Sequence, residues 1–369
     1  MIYLDSAATS FQKPPQVYRA AEKALREAAS PGRGAYAAAM KAADLMLDAR
    51  ECAAAFFSFP HAERVVMTMN ATHALNLAIR SLAKQGARAV ISGYEHNAVV
   101  RPLHACGAVI DVASAKLFNS EELVAAFRKK LPGADLAVCT HVSNVFGYIL
   151  PVREIAALCR DHGVPLIVDA SQSAGVLPLD AEMLGADFVA MPGHKSLLGI
   201  PGSGLLLCGA EAGPLLFGGS GSDSLSREMP AYLPERLEAG TQNAPAAAAL
   251  CAGIRYIQSR GRERIEAHEK ELLRHMTEIL EKQDGLELFA AAQGEQSSVL
   301  SLRSNGRDCE EIAAALAGED ICVRSGLHCA PLAHGSAGTL DTGTVRFSFS
   351  PFNTHGEIEK AAAKLIKII

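Results

Sequence analysis

Tryptophan is absent from this chain and aromatic residues make up only 5% of it, a shortage that points to no functional class by itself. Other absences exclude more. None of the 369 residues belongs to an uninterrupted apolar stretch of bilayer-crossing length, and the opening MIYLDSAATS lacks the basic start and apolar run of a secretory signal. A cytosolic address with no membrane partner is the expectation. No run of Lys and Arg exceeds Arg128-Lys129-Lys130, and 35 basic against 40 acidic residues leave a formal charge of −5. Nucleic acid is therefore not expected as a partner. The nine cysteines are odd in number and scattered without a CxxC pair, which argues against a disulfide framework and against a metal site. Low-complexity tracts and internal repeats are missing as well.

What is present is the make-up of a globular protein, 49% hydrophobic and 20% charged. At this length one large domain plus a smaller one is expected. From about residue 64 to 208, short apolar runs alternate with helical patterns: RVVMTM (64–69), RAVIS (88–92), AVIDV (108–112), DLAVCT (135–140), PLIVDA (165–170), DFVAM (187–191) and GLLLC (204–208). Runs without strict alternation predict strands covered on both faces, joined by crossover helices into a mostly parallel sheet. The last run follows GIPGSG closely and reads as an antiparallel neighbour. Beyond FGGSGSDSLS (217–226) the character changes to long charged helices such as 259–283. It closes with strand candidates at 297–304, 320–325 and 344–350 beside helices at 308–317 and 355–367. The expected organisation is an α/β large domain over 17–250, a small α+β domain over 251–369, and an N-terminal segment, 1–16, joining the small domain.

In an open parallel sheet, ligands sit at the carboxyl ends of the strands, so the polar residues just after these runs are the ones to weigh. Asp169 ends PLIVDA, Gln172 follows it, and His194 and Lys195 come just after DFVAM. Pyridoxal phosphate needs such a set: an amine to form a Schiff base, for which Lys195 is the candidate, and a carboxylate to keep the ring nitrogen protonated, for which Asp169 is the candidate. His96, in GYEHNAVVRPL (93–103), is a candidate to cover the ring face, and Gln172 to contact the ring hydroxyl. Read alone, His96 is a surface histidine at a helix start. The phosphate needs backbone N–H groups at a helix N-terminus, and Ala71-Thr72 open an amphipathic helix after RVVMTM. Thr72 also reads as that helix's N-cap.

These residues bring out a resemblance that spans nearly the whole chain. YLDSAATS (3–10), NATHALN (70–76), EHNA (95–98), HVSNVFG (141–147), VDASQSAG (168–175), GHK (193–195), EAGTQN (238–243), RSGLHCAP (324–331) and VRFSFSPFNT (345–354) occur in family order. The chain resembles the class V aminotransferase group, specifically cysteine desulfurases and selenocysteine lyases. The resemblance implies a fold type I pyridoxal-phosphate enzyme. Lys195 would hold the cofactor, with Asp169 at the ring nitrogen, His96 stacked on the ring and Gln172 at the ring oxygen. Thr72, Ala71 and His194 would serve the phosphate, and Asn144 would lie near the cofactor or the substrate carboxylate. Arg346 would grip that carboxylate, for which a planar fork is apt; read alone, it is a strand residue in a structural ion pair. Thr241 would reach the phosphate of a neighbouring subunit, which implies a homodimer.

Cys329 decides the reaction. In the family the matching cysteine attacks the sulfur of the substrate cysteine, leaving alanine and an enzyme persulfide. The thiolate is the attacking species. His328 is not assigned as its base, because neighbours along a strand point to opposite faces. The other cysteines, Cys52, Cys106, Cys139, Cys159, Cys208, Cys251, Cys309 and Cys322, read as buried apolar residues. Two departures from the family, Pro192 before Gly-His-Lys and Ala71 in place of a second Thr, imply fewer or relocated phosphate contacts. Leu327 replaces a residue that is often His, and 332–344 reads as a Gly-rich loop. The expected activity is desulfuration of L-cysteine, with a sulfur-acceptor protein as a possible partner. The alternatives are a selenocysteine lyase, an aminotransferase or other lyase in which Cys329 is incidental, and a noncatalytic sulfur-carrier scaffold or regulator with the same fold.

Overall fold

The structure, a computed structural model, describes residues 1–32, 34–292 and 294–369. Its central sheet has seven strands in the order Val65–Thr68, Gly204–Cys208, Phe188–Pro192, Leu166–Asp169, Leu136–Thr140, Arg88–Ser92, Val109–Ala113. All run parallel except Gly204–Cys208, which is antiparallel to both neighbours. The apolar runs are continuous because most of these strands are buried on both faces. On one face Val90, Cys139 and Val168 pack with Met46, Phe127, Ile155 and Leu250. On the other, Ile91, Val138 and Ile167 pack with Leu75, Leu77, Val99 and Leu103. At the edge, Asp111 pairs with Arg88 and Lys130, and these charges shield the edge strand from further pairing. This is the mostly parallel, helix-flanked sheet expected of fold type I.

The second sheet is antiparallel, in the order Arg324–Gly326, Thr344–Ser348, Val299–Ser304, Leu286–Phe289. Its core joins Leu300, Leu302 and Phe347 to Leu272 and Met276 of helix Arg262–Leu280, Ile312 of Cys309–Gly318 and Ile358 of His355–Ile368. The N-terminus lies with this part of the molecule: Ile2–Tyr3 pairs in parallel with Ile321–Cys322, and Leu4 is buried in the same core.

Several elements differ from the sequence reading. The helical pattern over 259–283 is broken at Gly261, whose φ of 83° separates Ala244–Arg260 from Arg262–Leu280. The boundary expected after residue 250 falls inside the first of these helices, whose Ala247, Leu250, Ile254 and Ile257 pack into the large core. The run DICVRS is two strands, one serving each of two sheets. The stretch 332–344 is not all loop, because Pro331 opens a helix through Ala337 that Gly338 ends in a left-handed turn.

Candidate active site

The carboxyl ends of the central strands converge on one cleft, and it gathers Ala71, Thr72, His96, Asn144, Asp169, Gln172, His194 and Lys195, with Asn70 and Pro192 beside them. The helix Ala71–Leu82 starts there. Its cap is Asn70 rather than Thr72: Asn70 Oδ1 accepts the N–H of His73 at 2.9 Å, the third helical position an N-cap serves. Among the described residues the N–H groups of Ala71 and Thr72 have no acceptor. His96 caps the next helix, its Nδ1 accepting the N–H of Ala98 at 3.0 Å, so the ring is fixed at the cleft wall instead of lying free on the surface.

The charged groups are enclosed. Asp169 is 3% exposed, and its Oδ1 accepts the N–H of Ser171 at 2.9 Å. Lys195 lines the cleft and is part-accessible from it, yet protein surrounds the amine. Burial lowers its pKa to about 8, opposed by the Asp169 carboxylate. No hydrogen bond or ion pair to Lys195 Nζ is found among the described residues. His194 is brought to about 4, chiefly by burial and then by the neighbouring Lys195 charge. Burial likewise lowers His96, with Asp169 opposing. Gly175, at φ 97°, lets this loop close: a Cβ there would lie 2.6 Å from the carbonyl oxygen of Ser196, next to Lys195.

The other expected residues stand apart. Thr241 is exposed and lines an adjacent hollow with Asn70, His194 and Ser203, not the cleft itself. Cys329 is exposed, in the turn between strand Arg324–Gly326 and helix Pro331–Ala337. That turn is tied to the cleft walls. Asn144 Nδ2 donates to the His328 carbonyl at 2.8 Å, and the Asn97 N–H donates to the Cys329 carbonyl at 2.8 Å. His328 and Cys329 do diverge, but not by strand alternation. Both lie outside any strand with left-handed φ of 50° and 56°, and His328 is buried, its ring parallel to His334 at 5.8 Å. Burial carries His328 down to about 2, which makes it a neutral packing residue. Arg346 is 2% exposed and already bound: Nη2 to Asp5 Oδ1 at 2.6 Å and Nη1 to the Asn144 carbonyl at 2.9 Å. Of the eight cysteines read as buried, Cys52, Cys106 and Cys322 are only half-buried.

Residues 2–361 match the aminotransferase class-V family model. The chain belongs to the class V aminotransferase family. A probable cysteine desulfurase of Xylella fastidiosa is 34% identical over 100% of this chain and 91% of the relative, and another of Methanothermobacter thermautotrophicus is 33% identical over 100% and 94%. Among solved structures, an apo cysteine desulfurase of Thermococcus onnurineus superposes with a TM-score of 0.91 at 31% identity, covering 100% of this chain and 94% of that one. A cysteine desulfurase of Escherichia coli gives 0.87 at 25% identity, with 99% and 94% covered.

The site also draws on residues that the sequence reading did not single out. The N-terminal segment laces the site together: Gln172 Nε2 donates to the Ala7 carbonyl at 3.0 Å, and the hydroxyls of Thr9 and Ser10 donate to the His194 carbonyl at 3.1 and 3.0 Å. Asp5 pairs with Arg346. These residues lie within the motif YLDSAATS, which was the only available signal, since partners up to 341 positions apart cannot be matched by spacing.

Proposed function

We propose that this chain is a pyridoxal-phosphate-dependent cysteine desulfurase that takes the sulfur of L-cysteine onto Cys329 and releases L-alanine. The observation that carries this reading is Lys195, an enclosed amine lowered to about 8, with no hydrogen-bond or ion-pair partner among the described residues, in one cleft with the buried carboxylate of Asp169. The donor set fits the cofactor. Lys195 would hold it covalently. Asp169 keeps Oδ2 for a protonated ring nitrogen, the fixed His96 ring suits one ring face, and Gln172 suits the ring oxygen. The uncapped N–H groups of Ala71 and Thr72, the Thr72 hydroxyl and His194 suit the phosphate, while Pro192 adds no hydroxyl to that set. Bound there, the cofactor supplies an electron sink for charge left at the substrate's α-carbon.

The chain's own residues do the rest. Lys195 Nζ, its pKa lowered to about 8, takes and returns the proton at the α-carbon. Asn144 and Arg346 receive the substrate carboxylate, and Arg346 does so by sharing or exchanging its bond to Asp5. Cys329, as thiolate, attacks the substrate sulfur: an S–S bond forms as the Cβ–S bond breaks. Its exposure suits delivery of the persulfide to an acceptor protein. A homodimer in which the exposed Thr241 meets the partner's phosphate, and a cytosolic location, belong to the same reading. Among the described residues no helix is long and apolar enough to cross a membrane.

The test is incubation with L-cysteine, scoring alanine and protein persulfide for wild type, Cys329→Ala and Lys195→Ala. Cys329→Ala is expected to bind cofactor and stay yellow but form no persulfide. Lys195→Ala is expected to lose turnover. Wild-type alanine production by Cys329→Ala would remove that thiol from the mechanism. A much faster rate on L-selenocysteine than on L-cysteine would reassign the substrate.

A further inference from the structure

Away from the cleft, helix Ala37–Phe56 packs against helix Ala244–Arg260 through small side chains. Ala49 and Ala53 on one, and Ala247 and Ala248 on the other, are buried. Small residues let the two backbones approach closely, and a cysteine of each helix lies in this contact. Cys52 Sγ is 3.8 Å from the carbonyl oxygen of Cys251, and Cys251 Sγ is 3.8 Å from the carbonyl oxygen of Asp48, one turn before Cys52. Each sulfur therefore rests on the other helix's backbone.

We propose that Cys52 and Cys251 are a reversible redox pair that a hydroperoxide closes to a disulfide, stapling these two helices. The two thiols face each other across this contact, and the Cys52 thiol, with help from the Arg255 guanidinium, holds Cys251 below the ordinary thiol value. The same contact, together with burial, pushes Cys52 up. Cys251 is the first nucleophile. It also lines a cavity of about 160 Å³ with Lys23, Lys41, Asp48 and Arg255, where a water-sized molecule needs only about 10–15 Å³. The Cys251 thiolate attacks the terminal peroxide oxygen, so an S–O bond forms, the O–O bond breaks and alkoxide, or hydroxide from hydrogen peroxide, leaves. Cys52 then attacks the sulfenic sulfur: the S–S bond forms, the S–O bond breaks, and water carries away the oxygen. Two thiols lose two electrons and two protons, and the peroxide is reduced to water and the corresponding alcohol or a second water.

The staple acts on a functional segment. Helix Ala244–Arg260 continues directly from residues 238–243, which carry Thr241, and helix Ala37–Phe56 already holds that segment through Arg50 and Glu238. Closing the disulfide adds a covalent tie between the two elements that frame it.

The test uses the full-length, cofactor-loaded protein carrying Cys329→Ser, or wild type if that variant fails to fold. After treatment with hydrogen peroxide and alkylation, digestion and mass spectrometry are expected to find the Cys52 and Cys251 peptides joined, lighter by two hydrogens than their sum. Cys139, Cys159 and Cys208 remain alkylatable, and dithiothreitol restores both thiols. The melting temperature is expected to rise by a few degrees on oxidation, a shift lost in Cys52→Ser, where Cys251 is instead trapped as a sulfenic acid by dimedone. Cys52 and Cys251 both remaining reduced while other thiols of the folded protein oxidise would overturn the proposal. So would a Cys52 that oxidises equally in Cys251→Ser.

Discussion

An enclosed amine sheds its proton more readily than a solvated one because burial penalises the charged form, and Lys195 shows this with Asp169 partly restoring the charge. Only the neutral amine adds to an aldehyde. Below about 8 the amine is mainly charged and the reactive fraction grows roughly tenfold per pH unit; above it the amine is mainly neutral. Uptake of pyridoxal phosphate by the cofactor-free protein is therefore expected to accelerate with pH and level off above about 8, as followed by the growth of its yellow absorbance. Asp169→Asn removes the larger of the two carboxylate influences, Asp169 and Asp5, that favour the charged form, so its plateau is expected to begin at lower pH even though the cofactor is held more weakly. A wild-type rate that does not change between acid and alkaline buffers would show that the amine is not the group being titrated.

At the scale of elements, the segment before Thr241 is held by a buried ion pair. Arg50 Nη1 and Nη2 each lie 2.6 Å from an oxygen of Glu238, Arg50 also donates to the Val65 carbonyl, and Glu238 accepts the N–H of Met67. One contact thus ties helix Ala37–Phe56, strand Val65–Thr68 and the 236–243 segment together. Removing one partner leaves a buried charge, so Arg50→Ala is expected to cost about 3–5 kcal/mol in urea unfolding, whereas Arg50→Met with Glu238→Leu costs clearly less. Equal losses in the two proteins would mean that the charge is not stranded. None of this pairing was legible in the sequence, because the partners are 188 positions apart. The strands of the large sheet were legible to within a residue or two, since burial on both faces makes their apolar runs continuous. The strand Leu286–Phe289 was not: it is short and only Phe289 is buried. The cleft residues could be read because each follows such a strand. The Cys329 turn could not, since its position rests on Asn97 and Asn144, whose backbone and amide bonds leave no spacing signal.

Across the whole molecule, the first ten residues act as a strap from the small sheet to the cleft. Ile2–Tyr3 adds a strand beside Ile321–Cys322, Leu4 is buried, Asp5 neutralises Arg346, and residues 7–10 hold Gln172 and His194. The two ends of the strap therefore do different work, and variants at each end should fail differently. Thr9→Ala with Ser10→Ala removes two hydroxyl hydrogen bonds to the His194 carbonyl, each worth about 0.5–1.5 kcal/mol. Because these bonds also exist in the cofactor-free fold, the melting temperature is expected to fall modestly, by less than for Asp5→Ala, while cofactor affinity falls by at most roughly five- to a hundred-fold, according to how much of that energy positions His194 for the phosphate. Asp5→Ala instead leaves Arg346 buried and unpaired, which is expected to destabilise the antiparallel sheet by about 3–5 kcal/mol, seen as an earlier loss of structure on heating whether or not cofactor is bound. Should Thr9→Ala with Ser10→Ala retain cofactor as tightly as wild type while Asp5→Ala alone loses it, the strap's hold on the cleft would run through Arg346 and not through His194.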